Sequence, residues 1–445
     1  MATQKVAAKI ESVLGSDRLK RWEILSPEEQ RWLGRGIDHT AAHPAGTVTP
    51  ESRDELAEIM TLASAEQWRL MPMGHGTKLG WGRSRLPVDL VVRCDSLNQV
   101  VERDAGDLTI SVEAGMTLAA LQRELASHNQ FLPVDPSYPE SATLGGIVAT
   151  ADSGGLRQGY GGVRDMLLGI EFVRHDGQRS RAGGKVVKNV AGYDLMKLFT
   201  GAYGTLGLIS RLTWRVYPIP PCWQTLAITG DLDNLNALTR QVLNSPLTPV
   251  AWDWMITSPG LFPDAADKPW ILGRFASVEA STAAQVKSVM DQGIAQNLTV
   301  QRFEGGGEKE IWQRVNRVIA PPVSPQNPPN ADSVQIKCAV ISTEVASLLP
   351  LMLKEIPGAI AQVRGGSGLG KIYIPGVHKP AVDTLINLRD FCQSHQGFLS
   401  VLDAPQELKK QIDPWGYLGQ GKNMAIALRQ KFDPHQLINP NCFIV

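Results

Sequence analysis

The 445 residues carry 44 basic and 44 acidic side chains and are 43% hydrophobic, enough for a large core and, at this length, for two or more domains rather than one. The formal net charge of zero excludes a general electrostatic grip on nucleic acid or on anionic lipid. Cys94, Cys222, Cys338, Cys392 and Cys442 stand singly, with no CxxC pair and no Cys/His cluster. No metal site, cluster or disulfide framework is therefore expected, and any electron carrier would be organic.

The first residues bear early charges and no apolar h-region, and the best apolar run, 348–353, is short and broken by Pro350. A soluble, cytoplasmic protein without a transmembrane segment is expected, any membrane association being peripheral and made through partners. Residues 1–40 read as a helical segment in which Ser26-Pro27-Glu28-Glu29 supplies an N-cap, a first-position proline and a capping box. From 41 to 218, strand and helix patterns alternate. A strand at 47–50 is followed by an amphipathic helix at 51–66, with Leu56, Ile59, Met60 and Ala63 on one face, and by a strand at 68–71 that runs into Gly74-His75-Gly76. Further strands are expected at 89–93, 108–113, 167–175 and 206–217, with a helix capped by Thr117 over 117–128. Glycines crowd the stretch from Gly145 to Gly207 well above the average rate of about 7%. They lie between strands, so the backbone there is expected to approach something closely.

Pro218-Ile219-Pro220-Pro221 forbids helix and inner strand alike and marks a boundary. Beyond it, 222–405 reads as the order β-α-β-β-α-β twice. Strands are expected at 223–229, 250–256, 269–275 and 298–303, then at 334–341, 359–363, 371–374 and 398–403. A helix at 308–319 and a proline-rich loop at 321–329 separate the copies. Two ferredoxin-like halves fused into one antiparallel sheet are expected, followed by a tail over 406–445.

Three glycine-bearing motifs carry chemistry. In the first, Pro72-Met73-Gly74-His75-Gly76-Thr77-Lys78-Leu79-Gly80-Trp81-Gly82, close glycines directly after a strand let consecutive N–H groups point into one concavity suited to a pyrophosphate. Leu79 breaks the G-x-G-x-x-G pattern, and no acidic residue follows on a strand end about 20 positions later, so a Rossmann site is disfavoured. The second motif runs from Asp135 to Ile147. In it Ser141 or Thr143 caps a helix whose first turn holds Gly145 and Gly146, where an anion or polar ring could reach free backbone donors. The third, Lys188-Asn189-Val190-Ala191-Gly192-Tyr193-Asp194-Leu195, precedes a second glycine loop from Gly201 to Ile209. A further run, Gly365 to Lys371, has P-loop spacing as far as its lysine. Ile372 then stands where Ser or Thr is required and 371–374 reads as a strand, so nucleotide hydrolysis is not expected.

The order, spacing and wording of the three motifs resemble the FAD-binding domain of the FAD-linked oxidases, the vanillyl-alcohol-oxidase or PCMH type. Within it they most resemble the E-subunit family of bacterial glycolate oxidases. The resemblance is strong over 45–218 and looser beyond, where Asp413-Pro414-Trp415-Gly416, Phe432-Asp433-Pro434 and Leu437-Ile438-Asn439-Pro440 look like the family's returning tail. It implies an α+β fold: a PCMH-type FAD-binding domain of two α/β subdomains at 41–218, a duplicated antiparallel cap at 222–405, and a tail at 406–445 packing back on the FAD domain. It puts the FAD pyrophosphate against Gly74, His75, Gly76, Thr77 and Lys78, flanked by Pro72, Met73 and Leu79. Pro136, Ser141, Ala142, Thr143, Leu144, Gly145 and Gly146 would meet the flavin and ribityl region, and Gly204, Thr205, Leu206, Gly207 and Ile209 the adenine side. Tyr203 stands where many relatives have an acidic residue, and Asn441 and Cys442 where they have a glycine and a basic residue. Some members bind flavin through a histidine directly before Ser or Asp. Here Gly76 separates His75 from Thr77, which implies noncovalent FAD.

Oxidation of an α-hydroxy acid needs a hydride acceptor, a base for the hydroxyl proton and a cation for the carboxylate. Arg364, Lys371 and Tyr373, in the expected cap, are the candidates for the carboxylate, with a solvated hairpin as the plain alternative. The family's hydroxy-acid dehydrogenases resemble one another in a His-rich cap motif and a Gly-Glu-His-Gly stretch. Neither is present, His378 and His395 stand alone, and no catalytic residue is assigned. The resemblance implies an FAD-binding subunit of a complex oxidising glycolate to glyoxylate, accessory or electron-relaying, with a catalytic flavoprotein subunit and an iron–sulfur subunit as partners. The alternatives are a free-standing FAD-dependent dehydrogenase of another 2-hydroxy acid or sugar, and a scaffold without cofactor.

Overall fold

The computed structural model describes all residues except 1, 39, 41, 186–192, 257–267, 379, 417, 418, 420 and 444–445. Most of the third motif, 188–192, lies outside the described residues. A first sheet orders its strands Leu19–Arg21, Gly46–Val48, Leu90–Arg93, Leu70–Met73. The first pair is antiparallel and the others are parallel. The crossover from 46–48 to 70–73 is the helix Arg53–Glu66, capped by Ser52, and it buries the predicted face Leu56, Ile59, Met60 and Ala63. The amino-terminal segment forms the expected helix Pro27–Gly34 with its capping box. It differs from the all-helical expectation in adding Leu19–Arg21 as an edge strand, where Leu19 buries its side chain.

A second sheet is antiparallel throughout, in the order Val100–Asp104, Thr109–Glu113, Leu208–Arg215, Leu167–Val173, Arg179–Gly183. The first and last of these were not foreseen. Both are exposed edge strands whose charged residues carry little hydrophobic alternation. On the central strand Leu212 and Trp214 are fully buried, and the short helix Leu144–Thr150 packs into the same core through Leu144, Ile147 and Val148. The tail returns as expected. Asp433 accepts from the N–H groups of Leu437 and Ile438 at 2.9 and 2.8 Å, which turns the chain so that Leu70 N–H donates to Leu437 O and Asn439 N–H to Leu70 O.

The third sheet has eight antiparallel strands, in the order Thr299–Glu304, Cys222–Thr229, Trp270–Ser277, Ala251–Ile256, Ile360–Arg364, Leu369–Ile374, Val334–Ala339, Phe398–Asp403. Each half is β-α-β-β-α-β, and the halves join where 251–256 pairs with 360–364. This is the duplicated ferredoxin-like arrangement read from the sequence. Period-2 alternation separates the two faces. Trp252 and Trp254 enter an apolar core with helices Leu232–Leu243 and Val345–Glu355. The opposite face carries Asp253, Gln362, Arg364, Lys371 and Lys337 towards the first two sheets. Truncating the buried Trp214 to alanine should lower stability by about 3–5 kcal/mol, read as a shift in the urea unfolding midpoint.

Candidate functional site

Strand Leu70–Met73 ends at a loop that lines one wall of a cleft. The lining includes Pro72, Met73, Gly74, His75, Gly76, Thr77, Lys78 and Leu79 from the first motif, and Ala142, Thr143, Gly145 and Gly146 from the second. Gly204, Gly207 and Ile209 line it from the later glycine loop. Gly76 sits at φ +76°, and the carbonyl beside it, His75 O, accepts from Trp32 Nε1 at 3.3 Å. Among the described residues, no protein acceptor takes the backbone N–H of Gly74, His75, Gly76, Thr77 or Lys78. Five consecutive amides without a protein acceptor, on residues that line one cavity, are what an anion-binding nest requires. Ala114, Ala142, Ala149, Leu208 and Ile209 supply an apolar wall suited to a planar ring. Amides for a pyrophosphate and an apolar slot for aromatic rings fit an FAD.

The second motif behaves differently from the sequence expectation. Thr143 is the helix cap, accepting from Gly146 N–H at 3.4 Å. The donors expected to be free are spent, Leu144 N–H on Met116 O at 2.9 Å and Gly145 N–H on Ala114 O at 2.8 Å. This helix therefore offers its backbone to neighbouring protein rather than to a ligand. Pro136, Ser141, Leu144, Thr205 and Leu206 do not line the cleft. Ser141 O instead accepts from the His75 ring, at 3.1 Å from Nδ1, while Leu144, Thr205 and Leu206 are buried core. The crowded glycines follow the same logic, since a Cβ on Gly74 would collide with the Thr143 side chain and one on Gly207 would meet Val173 O at 2.9 Å.

Arg85, Cys94, Tyr203 and Asn439 also line the cleft, and sequence reasoning did not assign them to the cofactor. Arg85 donates to Asn439 Oδ1 at 2.6 Å and to Leu79 O at 2.9 Å, and Asn439 Nδ2 donates to Tyr203 O at 3.0 Å. The tail thus ties the amide loop to the glycine loop across the cleft. The Leu437-Ile438-Asn439-Pro440 wording was the available signal for Asn439, whereas Arg85 had none. Burial pushes the Cys94 thiol up to about 12, so it stays protonated and a weak nucleophile.

The three candidate substrate residues lie outside the cleft lining. Lys371 Nζ is 2.6 Å from Asp152 Oδ1 and donates to Ser137 Oγ at 3.0 Å. Arg364, 3% exposed, donates to the carbonyls of Ser153 and Gly154. Their hairpin is therefore docked against the first two sheets, not solvated, and Tyr373 is half-buried on the same face as Lys371. Lys78 Nζ completes the cluster 3.0 Å from Asp152 Oδ2, an ion pair without an aligned hydrogen bond. Although burial opposes ionisation of Asp152, the Lys371 and Lys78 ammonium groups hold its carboxyl well below the usual range. Lys337, directly across the strand pair from Lys371, was missed in the sequence because it is a single charge in a strand that otherwise carries none. Burial lowers its ammonium to about 8. Nearby, Asp253 is fully buried, Gln362 Nε2 donates to its Oδ2 at 2.7 Å, and its Oδ1 has no hydrogen-bond partner among the described residues.

Burial raises Asp253 from 3.8 to about 6. The folded protein therefore prefers the protonated acid, and its stability falls as pH rises from about 4 through 6 and then levels off. Asp253→Asn should exceed the wild type in stability above about pH 7 and lose that margin below about pH 4, as urea midpoints across that range will report.

The matching family model is described as an FAD binding domain and covers residues 44–183. The chain is 37% identical over 166 residues to the glycolate oxidase subunit GlcE of Escherichia coli (strain K12), covering 37% of this chain and 47% of that protein. It is 31% identical over 253 residues to the glycolate oxidase subunit GlcD of Bacillus subtilis (strain 168), covering 56% and 51%. The chain thus spans about half the length of these curated relatives. A D-2-hydroxyglutarate dehydrogenase of Xanthomonas citri pv. viticola matches at 25% identity over 89% of both chains. Among solved structures, a 4-ethylphenol oxidase from Gulosibacter chungangensis superposes with a TM-score of 0.75 at 16% identity, covering 99% of this chain and 97% of that one. The p-cresol methylhydroxylase structure gives 0.72 at 15%, covering 99% and 96%, and both likenesses concern the fold alone. Residues 44–183 thus match an FAD binding domain, and the chain has the fold shared by p-cresol methylhydroxylase and 4-ethylphenol oxidase.

Proposed function

We propose that the chain is the FAD-binding subunit of a glycolate oxidase or dehydrogenase complex, taking part in oxidation of glycolate to glyoxylate beside a catalytic flavoprotein subunit and an iron–sulfur subunit. The observation that carries the cofactor part is the run of unspent amides from Gly74 to Lys78 on the cleft wall. In this reading those amides hold the pyrophosphate, the apolar wall excludes water from the rings, and the Arg85–Asn439–Tyr203 ties keep the cleft at its width. Bound FAD supplies a two-electron acceptor for hydride. An electron-relaying role is favoured because Arg364 and Lys371, the cations a carboxylate substrate would need, are engaged by carbonyls and by Asp152. A free-standing dehydrogenase of another 2-hydroxy acid is the second reading, favoured by the match to D-2-hydroxyglutarate dehydrogenase along 89% of both chains.

The purified full-length chain should take up FAD, and acid precipitation should release all of it, as noncovalent binding requires. A yellow pellet would count against that. Gly74→Val forces the loop off Thr143. Two lost amide-to-anion hydrogen bonds at about 1.5–3 kcal/mol each predict at least a hundredfold weaker FAD binding by fluorescence titration. Anaerobic glycolate should leave the flavin band of the lone chain unbleached. Direct bleaching would overturn the relaying role and favour a free-standing dehydrogenase.

A further inference from the structure

We propose that Lys371 and Lys409, which do not line the cleft, are positioning residues for its amide loop, so that cofactor affinity depends on how the eight-stranded sheet and the helix after it are seated. The inference rests on the FAD reading of the cleft. Consecutive N–H groups pointing one way crowd like partial charges together, so an unfilled nest relaxes unless its loop is tethered.

Several tethers hold the loop and its continuation. Trp32 Nε1 holds His75 O, the His75 ring meets Ser141 O, and Arg85 donates to Leu79 O, all without the third sheet. The sealed Lys78 ammonium pairs with Asp152, Lys409 Nζ donates to Gly80 O, and Gly82 N–H donates to Leu402 O at 2.8 Å. These last three depend on the third sheet or on the helix after it. Asp152, 3% exposed, is itself fixed by Ser137 N–H at 2.8 Å and by Lys371 from strand Leu369–Ile374. Lys409, on helix Gln406–Gln411, lies 3.6 Å from Asp403 Oδ1, and Arg35 Nη2 holds Asp403 Oδ2 at 2.8 Å. That carboxylate occupies the space a Cβ on Gly80 would need. Two buried ion clusters, one on each side of Leu79, therefore clamp the amide loop to residues far along the chain. Removing Lys371 or Lys409 strips its carboxylate of one of two cations, leaving Asp152 to Lys78 alone and Asp403 to Arg35 alone, at a cost set by how little water can compensate.

The test uses the full-length protein carrying Lys371→Met or Lys409→Met, with Lys371→Arg as the conservative variant. Hydrogen exchange of Leu79, Trp81 and Gly82, whose N–H groups are bonded to Gly76 O, Lys78 O and Leu402 O, is followed without cofactor, and FAD affinity is measured by fluorescence titration. Their exchange should quicken by about tenfold, and FAD affinity should fall at least about fivefold, with the arginine variant recovering most of both. A lowered unfolding temperature with exchange and affinity both within about twofold of the wild type would show a merely structural role and overturn the inference. If Lys371→Met does not fold, Lys409→Met decides by the same two measurements. A wild type that takes up no FAD, with exchange at Leu79, Trp81 and Gly82 still quickened in the variants, would sink the flavin reading and leave the tethering intact.

Discussion

One buried carboxylate, Asp152, joins the amide loop through Lys78, the third sheet through Lys371 and the 135–138 segment through Ser137. Removed from water, neither ammonium tolerates the loss of that partner, and the carboxylate tolerates the loss of neither, so the three segments are held in one arrangement. Further polar contacts join the third sheet to the first two, beside the apolar packing of Ile360 and Leu402. Arg364 spends its donors on the carbonyls of residues 153, 154 and 369, and Arg35, Asp403 and Lys409 meet at Gly80. Apolar packing cannot specify such a join as narrowly, because it has no direction, whereas ion pairs and carbonyl contacts fix both distance and angle.

The cleft follows from that arrangement. Its amide loop keeps its donors unspent because the surrounding structure binds its carbonyls and one side chain instead. The nearby glycines serve protein–protein closeness. At Gly115, for example, a Cβ would strike Cys94 O, and Gly145 rests against Ala114. High glycine content therefore signals that loops from two sheets converge, while affinity for an anion resides in the few amides that remain without partners.

Much of the fold was legible. The Ser26 capping box, the Leu56, Ile59, Met60 and Ala63 face, and both β-α-β-β-α-β copies are local patterns whose side-chain periods or caps are written in consecutive residues. The edge strands Val100–Asp104 and Arg179–Gly183 were not, because a strand exposed on its edge and rich in charge has no hydrophobic period to read. The site was legible to the same limit. Gly74 to Lys78 announce a nest through their spacing, and Asn439 carried a signal in the tail wording. Arg85, Asp152 and Lys337 are single polar residues whose partners lie in other segments.

The sequence by itself therefore determined the α+β organisation, the glycine loops and the returning tail, since capping, periodicity and turn chemistry act over neighbouring residues. Only the tertiary structure decided which donors stay free. It spends the amides at Leu144 and Gly145 on Ala114 and Met116, leaves those of Gly74 to Lys78 open, and turns Lys371 and Arg364 inward to close the join. A donor's availability depends on every acceptor within about 3 Å, and those acceptors come from segments that no local pattern brings together.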